Sequence, residues 1–129
     1  MRRRVKGVAS ARRRLKKLPG LLEERAAEMI VEHTAKVHRS GRENIQSMTR
    51  RRTGQLLRFY RRSVSRATLV GRVGYLSARA RRTVFYARFL HDGTRAIMPR
   101  PFHDNAVEEH IGDFPADALG ALRSAIRTR

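Results

Sequence analysis

The chain contains no cysteine and no tryptophan. Without thiols it forms no disulfide, no cysteine-ligated zinc module and no cysteine nucleophile, and the redox compartment is left open. No apolar run approaches the roughly 18 residues that cross a bilayer, so we expect a soluble protein with no membrane partner. Acidic residues are scarce: 11 Asp and Glu face 30 Lys and Arg, a formal charge of +19. Lysine is scarce too, with only Lys6, Lys16, Lys17 and Lys36 among the basic residues. The excess of arginine suits bidentate phosphate contacts, although a GC-rich coding sequence produces the same bias.

What the chain does have is enough apolar residues, 40% of its 129, for one modest core and hence one domain. Its charge is uneven. Residues 1–62 hold 19 basic and 5 acidic side chains, net +14; residues 63–100 hold 8 and 1, net +7; residues 101–129 hold 3 and 5, net −2. A cationic front suits a polyanion, most commonly nucleic acid, and a near-neutral back suits protein.

Residues 1–14 carry seven basic side chains and little apolar periodicity, so they read as a flexible basic arm ahead of a single domain at 15–129. From Leu15 the apolar positions Leu18, Leu22, Ala26, Met29, Ile30, His33 and Val37 recur every three or four residues, as on an amphipathic helix. Pro19 near a first turn sets the expected helix from about 19 to 37 or beyond, with Ser40 and Gly41 ending or kinking it. Residues 66–75, RATLVGRVGY, alternate Ala67, Leu69, Gly71, Val73 and Tyr75 on one face with Arg66, Thr68, Val70 and Arg72 on the other. That is a half-buried strand with a cationic outer face. The pairs Phe85/Phe89 and Tyr86/Leu90 favour one short helix from Ser77 to His91, stopped at Gly93. Pro99 and Pro101 hold their neighbours extended. A last amphipathic helix runs from Pro115 through Leu119, Leu122 and Ile126. The fold class expected is α+β: a long N-terminal helix, a small antiparallel sheet, a short helix and a C-terminal helix.

His91-Asp92 and His103-Asp104 resemble paired general-base units, but adjacent side chains point apart, and no HExxH, Walker loop or Gly-x-Ser-x-Gly occurs. We therefore expect no catalytic residue, no metal and no cofactor, and take the five histidines as surface or interface residues. Two arginine groups are the candidate contacts to DNA phosphates: Arg2, Arg3, Arg4, Arg12, Arg13 and Arg14 in the arm, and Arg50, Arg51, Arg52, Arg58, Arg61 and Arg62 further on.

Thr53-Gly54-Gln55-Leu56 with Arg58, the Val70-Gly71 to Val73-Gly74 strand, Tyr86-Ala87-x-Phe89, Gly93-Thr94 and Pro99-Arg100-Pro101-Phe102 with Ala106 follow one another in an order that resembles the head-tail joining family of long-tailed bacteriophages. The likeness spans about residues 50–106. It departs from the family's usual pattern at His91, where an acidic residue is usual, and at Asn105, where a second proline is common. The resemblance implies a structural neck, or tail-completion, protein of the virion, assembled in the bacterial host cytoplasm. It also implies a homo-oligomeric ring, six- or twelve-fold, around packaged double-stranded DNA, with head connector and tail proteins as neighbours. The aromatic, glycine and proline residues of 85–102 would then form the subunit interface: Tyr86, Phe89, Gly93, Thr94, Pro99, Pro101 and Phe102. The reading from another class is a free, sequence-independent nucleic-acid-binding protein of nucleoid or ribosomal type.

Overall fold

The structure is a computed structural model that describes residues 7–49 and 54–127. One helix organises it. α1 runs from Val8 to Met48, 41 residues, or about 60 Å at 1.5 Å per residue. It starts eleven residues before the expected boundary and continues past Gly41. Residues 8–14, read from sequence as part of a flexible arm, are therefore its first turns. The alanines, arginines and lysines on the N-terminal side of Pro19 are strong helix formers, and their propensity carries the helix through the one hydrogen bond that proline removes.

A short α2 (Gln55–Arg58) leads into β1 (Arg61–Ser65) and β2 (Val70–Gly74), a two-stranded antiparallel hairpin with Val64 opposite Gly71. The expected strand at 66–75 is thus shorter. Residues 66–69 form its turn, with Leu69 in the left-handed region at φ 55°. Strand β1, RRSVS, carries a single apolar residue and gives no alternation to read. Within β2 the expected faces hold. Gly71 lies against Thr34 and Ile30 of α1, Val73 and Tyr75 pack on the core, and Arg72 is exposed.

The single helix expected from 77 to 91 is two: α3 (Ala78–Thr83), capped by the Ser77 hydroxyl accepting from the Ala80 N–H at 3.0 Å, and α4 (Ala87–Asp92). Val84 sits between them at φ −112°, ψ 39°, and is 2% exposed. Burying this β-branched side chain outweighs continuing the helix, and the break turns Phe85 outward. Gly93 ends α4 at φ 79°, as expected, and Pro99 folds back on it. The Arg100 N–H then reaches the Leu90 carbonyl at 2.9 Å. After Pro101 the chain enters α5 (Phe102–Ile111), which the sequence reading lacked, and α6 (Phe114–Arg127), which it had. Both pack along α1. The molecule is α+β, mostly helical, and no helix among the described residues is long and apolar enough to cross a membrane.

The core gathers Ile45, Leu56, Tyr60, Val84, Ala87 and Phe102. Tyr60 is 1% exposed, and its phenol lies directly over Gly41 of α1, where any side-chain carbon would collide with the ring. Gly41 is therefore a point of close approach and not the helix end it resembles in sequence. Two substitutions separate these roles. Gly20 of α1 faces open space, so Gly20→Ala should stabilise by about 1 kcal/mol through helix propensity. Gly41→Ala gains the same term but overpacks the Tyr60 ring, at ~1–3 kcal/mol or more, so its midpoint in thermal or denaturant unfolding should fall.

Candidate nucleic-acid and subunit interface

The histidines are not ordinary surface residues. All five are partly buried; His33, His38 and His110 tie α1 to the rest of the chain, and His91 and His103 join α4, α5 and Tyr60. The His38 Nε2–H donates to the Tyr60 carbonyl at 3.0 Å, with the two rings stacked at 5.6 Å. His110 Nε2 meets the Ser40 hydroxyl at 2.6 Å, and His33 Nδ1 lies 3.7 Å from Asp117 of α6. His91 presents its ring edge-on to Phe102 at 5.2 Å; its Nδ1–H donates to Asp92 at 2.8 Å, and its Nε2 accepts from the Asp104 N–H at 3.3 Å. The first His-Asp pair thus orients a side chain that holds the start of α5 against the end of α4.

His103, of the second pair, lies 2.9 Å from the Tyr60 hydroxyl. Burial lowers its pKa, with His91 pushing the same way and Asp104 opposing. Burial also pushes the Tyr60 phenol up to about 12. Both shifts give one arrangement near neutrality: Tyr60 donates its O–H and neutral His103 accepts at Nδ1. Tyr75, likewise pushed up by burial and then by Tyr60 and Tyr86, donates to the Leu56 carbonyl at 2.8 Å. These polar groups satisfy one another across a helix packing seam, which is structural work. Among the described residues no His, Asp or Glu cluster is arranged to hold a metal ion.

The arginines are placed differently. Arg12 and Arg13 are exposed on the first turns of α1, and Arg14 belongs to the same turns. Arg58 ends α2 with its guanidinium 5.9 Å from the Phe59 ring, and Arg61 and Arg62 open β1, all three exposed. Arg2, Arg3, Arg4, Arg50, Arg51 and Arg52 lie outside the described residues. None of Arg12, Arg13, Arg58, Arg61 or Arg62 has an ion-pair partner among the described residues. The described members of the two groups occupy two separate regions, the start of α1 and the base of the hairpin.

The proposed subunit surface changes in one important member. Phe102 is 2% exposed, packed against Tyr60 and His91, with its carbonyl accepting from Asn44 of α1 at 3.0 Å. It is a core residue: directly after Pro101 it enters the first turn of α5, which aims its ring at α1. Tyr86, Gly93 and Pro101 are half-buried; Phe89, Thr94 and Pro99 are exposed. Thr94 holds a tight turn, its N–H bonding the Ile97 carbonyl at 2.9 Å and its hydroxyl accepting from the Ile97 N–H at 3.1 Å. In the same segment Phe85 is 68% exposed, Phe89 49% and Met98 82%. Phe85 was missing from the sequence-based interface, since only the break at Val84 turns it out.

Phe102→Ala should cost about 3–5 kcal/mol of fold stability, whereas Phe85→Ala, at an exposed site, should stay within about 0.5 kcal/mol; urea unfolding of both measures this. Because the folded-state pKa of His103 lies below its ordinary value, the unfolded chain binds the extra proton, so stability is full above pH ~6.5 and falls as the pH drops below it. His103→Gln, which accepts from Tyr60 without titrating, should flatten that part of the stability–pH curve, and an unchanged slope would remove His103 from the account. Comparison with known proteins finds no matching family model, no curated relative and no matching solved structure.

Proposed function

We propose that the chain is a non-enzymatic structural protein of a long-tailed phage particle, placed at the neck between head connector and tail. There, copies form a ring whose arginines contact the phosphates of the DNA that passes through. The observation that carries this reading is the pairing of two surfaces on one small domain: exposed arginines at the start of α1 and on the hairpin with no ion-pair partner among the described residues, and an exposed aromatic segment at 85–98. A protein that only coats nucleic acid has use for the first surface. Phe85, Phe89 and Met98 at the water boundary require a second partner that offers apolar area, and a neighbouring subunit offers it.

The use of the histidines supports the non-enzymatic part. The two His-Asp pairs that resembled a reaction centre hold α4, α5 and Tyr60 together. The order of motifs from Gly54 to Ala106 supports the neck assignment. That α1 carries arginine from its first turns makes part of the expected arm a rigid, extended display of cations.

Contacts of this kind read the backbone and not the bases. A protein neutralising about six phosphates should bind unrelated duplexes equally, with a log–log salt slope near −5. Fluorescence titration of labelled duplexes across a salt series measures both. A strong preference for one sequence contradicts the neck reading, and the absence of measurable affinity at low salt removes DNA from it. The flanking genes distinguish it from a free nucleic-acid-binding protein: capsid, connector and tail-tube proteins are expected there.

A further inference from the structure

The longest stretch of the chain without a lysine or arginine is 101–122, and it holds five acidic residues; the 40 residues before it, 61–100, hold ten arginines and one acid. The fold turns this contrast into two surfaces. On the corner between α5 and α6, Glu108, Glu109 and Asp113 are exposed beside Ile111, 60% exposed, and Phe114, 38% exposed. Along α3, α4 and the turn between them, Arg81, Arg82 and Arg88 are exposed, as are Phe85 and Phe89. Among the described residues the three carboxylates of the corner make no ion pair, nor do Arg81 and Arg82.

We infer that the α5–α6 corner of one copy docks on the α3–α4 surface of a second copy. The occupant follows from charge complementarity. Two copies of so basic a chain repel wherever like surfaces meet, and the acidic corner, built from a segment with no lysine or arginine, is where a second copy gains attraction from the arginines of the first. Both surfaces carry exposed apolar side chains together with charged ones, the composition of a protein interface, whereas the backbone of duplex DNA offers no apolar area to Phe85 or Phe89. The two surfaces differ from each other, so the contact is head-to-tail, the type that closes into rings when the rotation allows. The inference rests on the proposed function only in taking copies of this chain to meet one another.

Charge reversal tests it on the full-length, nuclease-treated protein by sedimentation velocity at low salt. Glu108→Arg with Glu109→Arg makes both surfaces basic, and Arg81→Glu with Arg82→Glu makes both acidic. Each variant alone should weaken self-association by about a hundredfold or more, the effect of like charges set against each other. An equimolar mixture should recover it, because each altered surface then meets its complement. Asp113→Arg and Arg88→Glu form a second pair should either double variant unfold, with circular dichroism checking every protein. A mixture that associates no better than its components overturns the inference, as does an acidic-corner variant that associates like the unaltered chain. Loss of duplex-DNA affinity in the arginine variant with self-association intact also overturns it, by assigning the α3–α4 surface to DNA. If the mixture fails while removal of the gene still leaves heads unjoined to tails, this inference falls and the neck reading stands; recovery in the mixture alongside normal joined particles gives the reverse.

Discussion

The fold depends on the seating of Tyr60 on Gly41. One aromatic ring, 1% exposed, replaces the side chain that α1 lacks at that position and brings the hairpin and α5 against it. His38 stacks on one face, Tyr75 and Phe102 meet it edge-on, and its hydroxyl reaches His103. Through these contacts the hairpin, α5 and the long helix are fixed by one close approach. The polar atoms buried on the way are paired with each other, so the seam does not carry the ~1–3 kcal/mol cost of each unsatisfied donor.

That seam was not legible in the sequence. Tyr60 stands in RFYRR, between arginines and outside any apolar period, and Gly41 follows a serine in the place where helices commonly end. Both are understood only when the partner across space is known. Elements that pack through a repeated stripe were legible: α1 from Leu15 onward, α6 from Pro115, and the in-and-out order of Gly71, Arg72 and Val73. Strand β1 is defined by its partner, since Arg61 to Ser65 carry no pattern of their own. The 85–102 segment was half legible. Its aromatics were recognised as special, but Phe102 goes into the core and Phe85 to the surface, because the helix breaks at Val84 and restarts at Phe102. Of the candidate arginines, Arg12 and Arg13 are exposed on a helix where a flexible arm was expected, and Arg58, Arg61 and Arg62 are exposed at the base of the hairpin.

The consequence for function is a division of labour within a small domain. Histidines and tyrosines are spent on holding the layers together. Arginines without an ion-pair partner among the described residues would, on the proposed function, serve a polyanion, and the aromatic and acidic surfaces on separate elements would serve protein. A high single-sign charge opposes assembly unless the partners supply compensation. Packaged DNA at the centre of a ring and the acidic α5–α6 corner at its contacts would supply it from two directions.

The most direct test of the neck assignment is electron microscopy of lysates from a host in which this gene alone has been inactivated. A joining protein leaves both halves of the particle intact and unconnected, so the account predicts DNA-filled heads and complete tails lying separately, with whole particles restored when the gene is supplied in trans. Whole, infectious particles in its absence would contradict it.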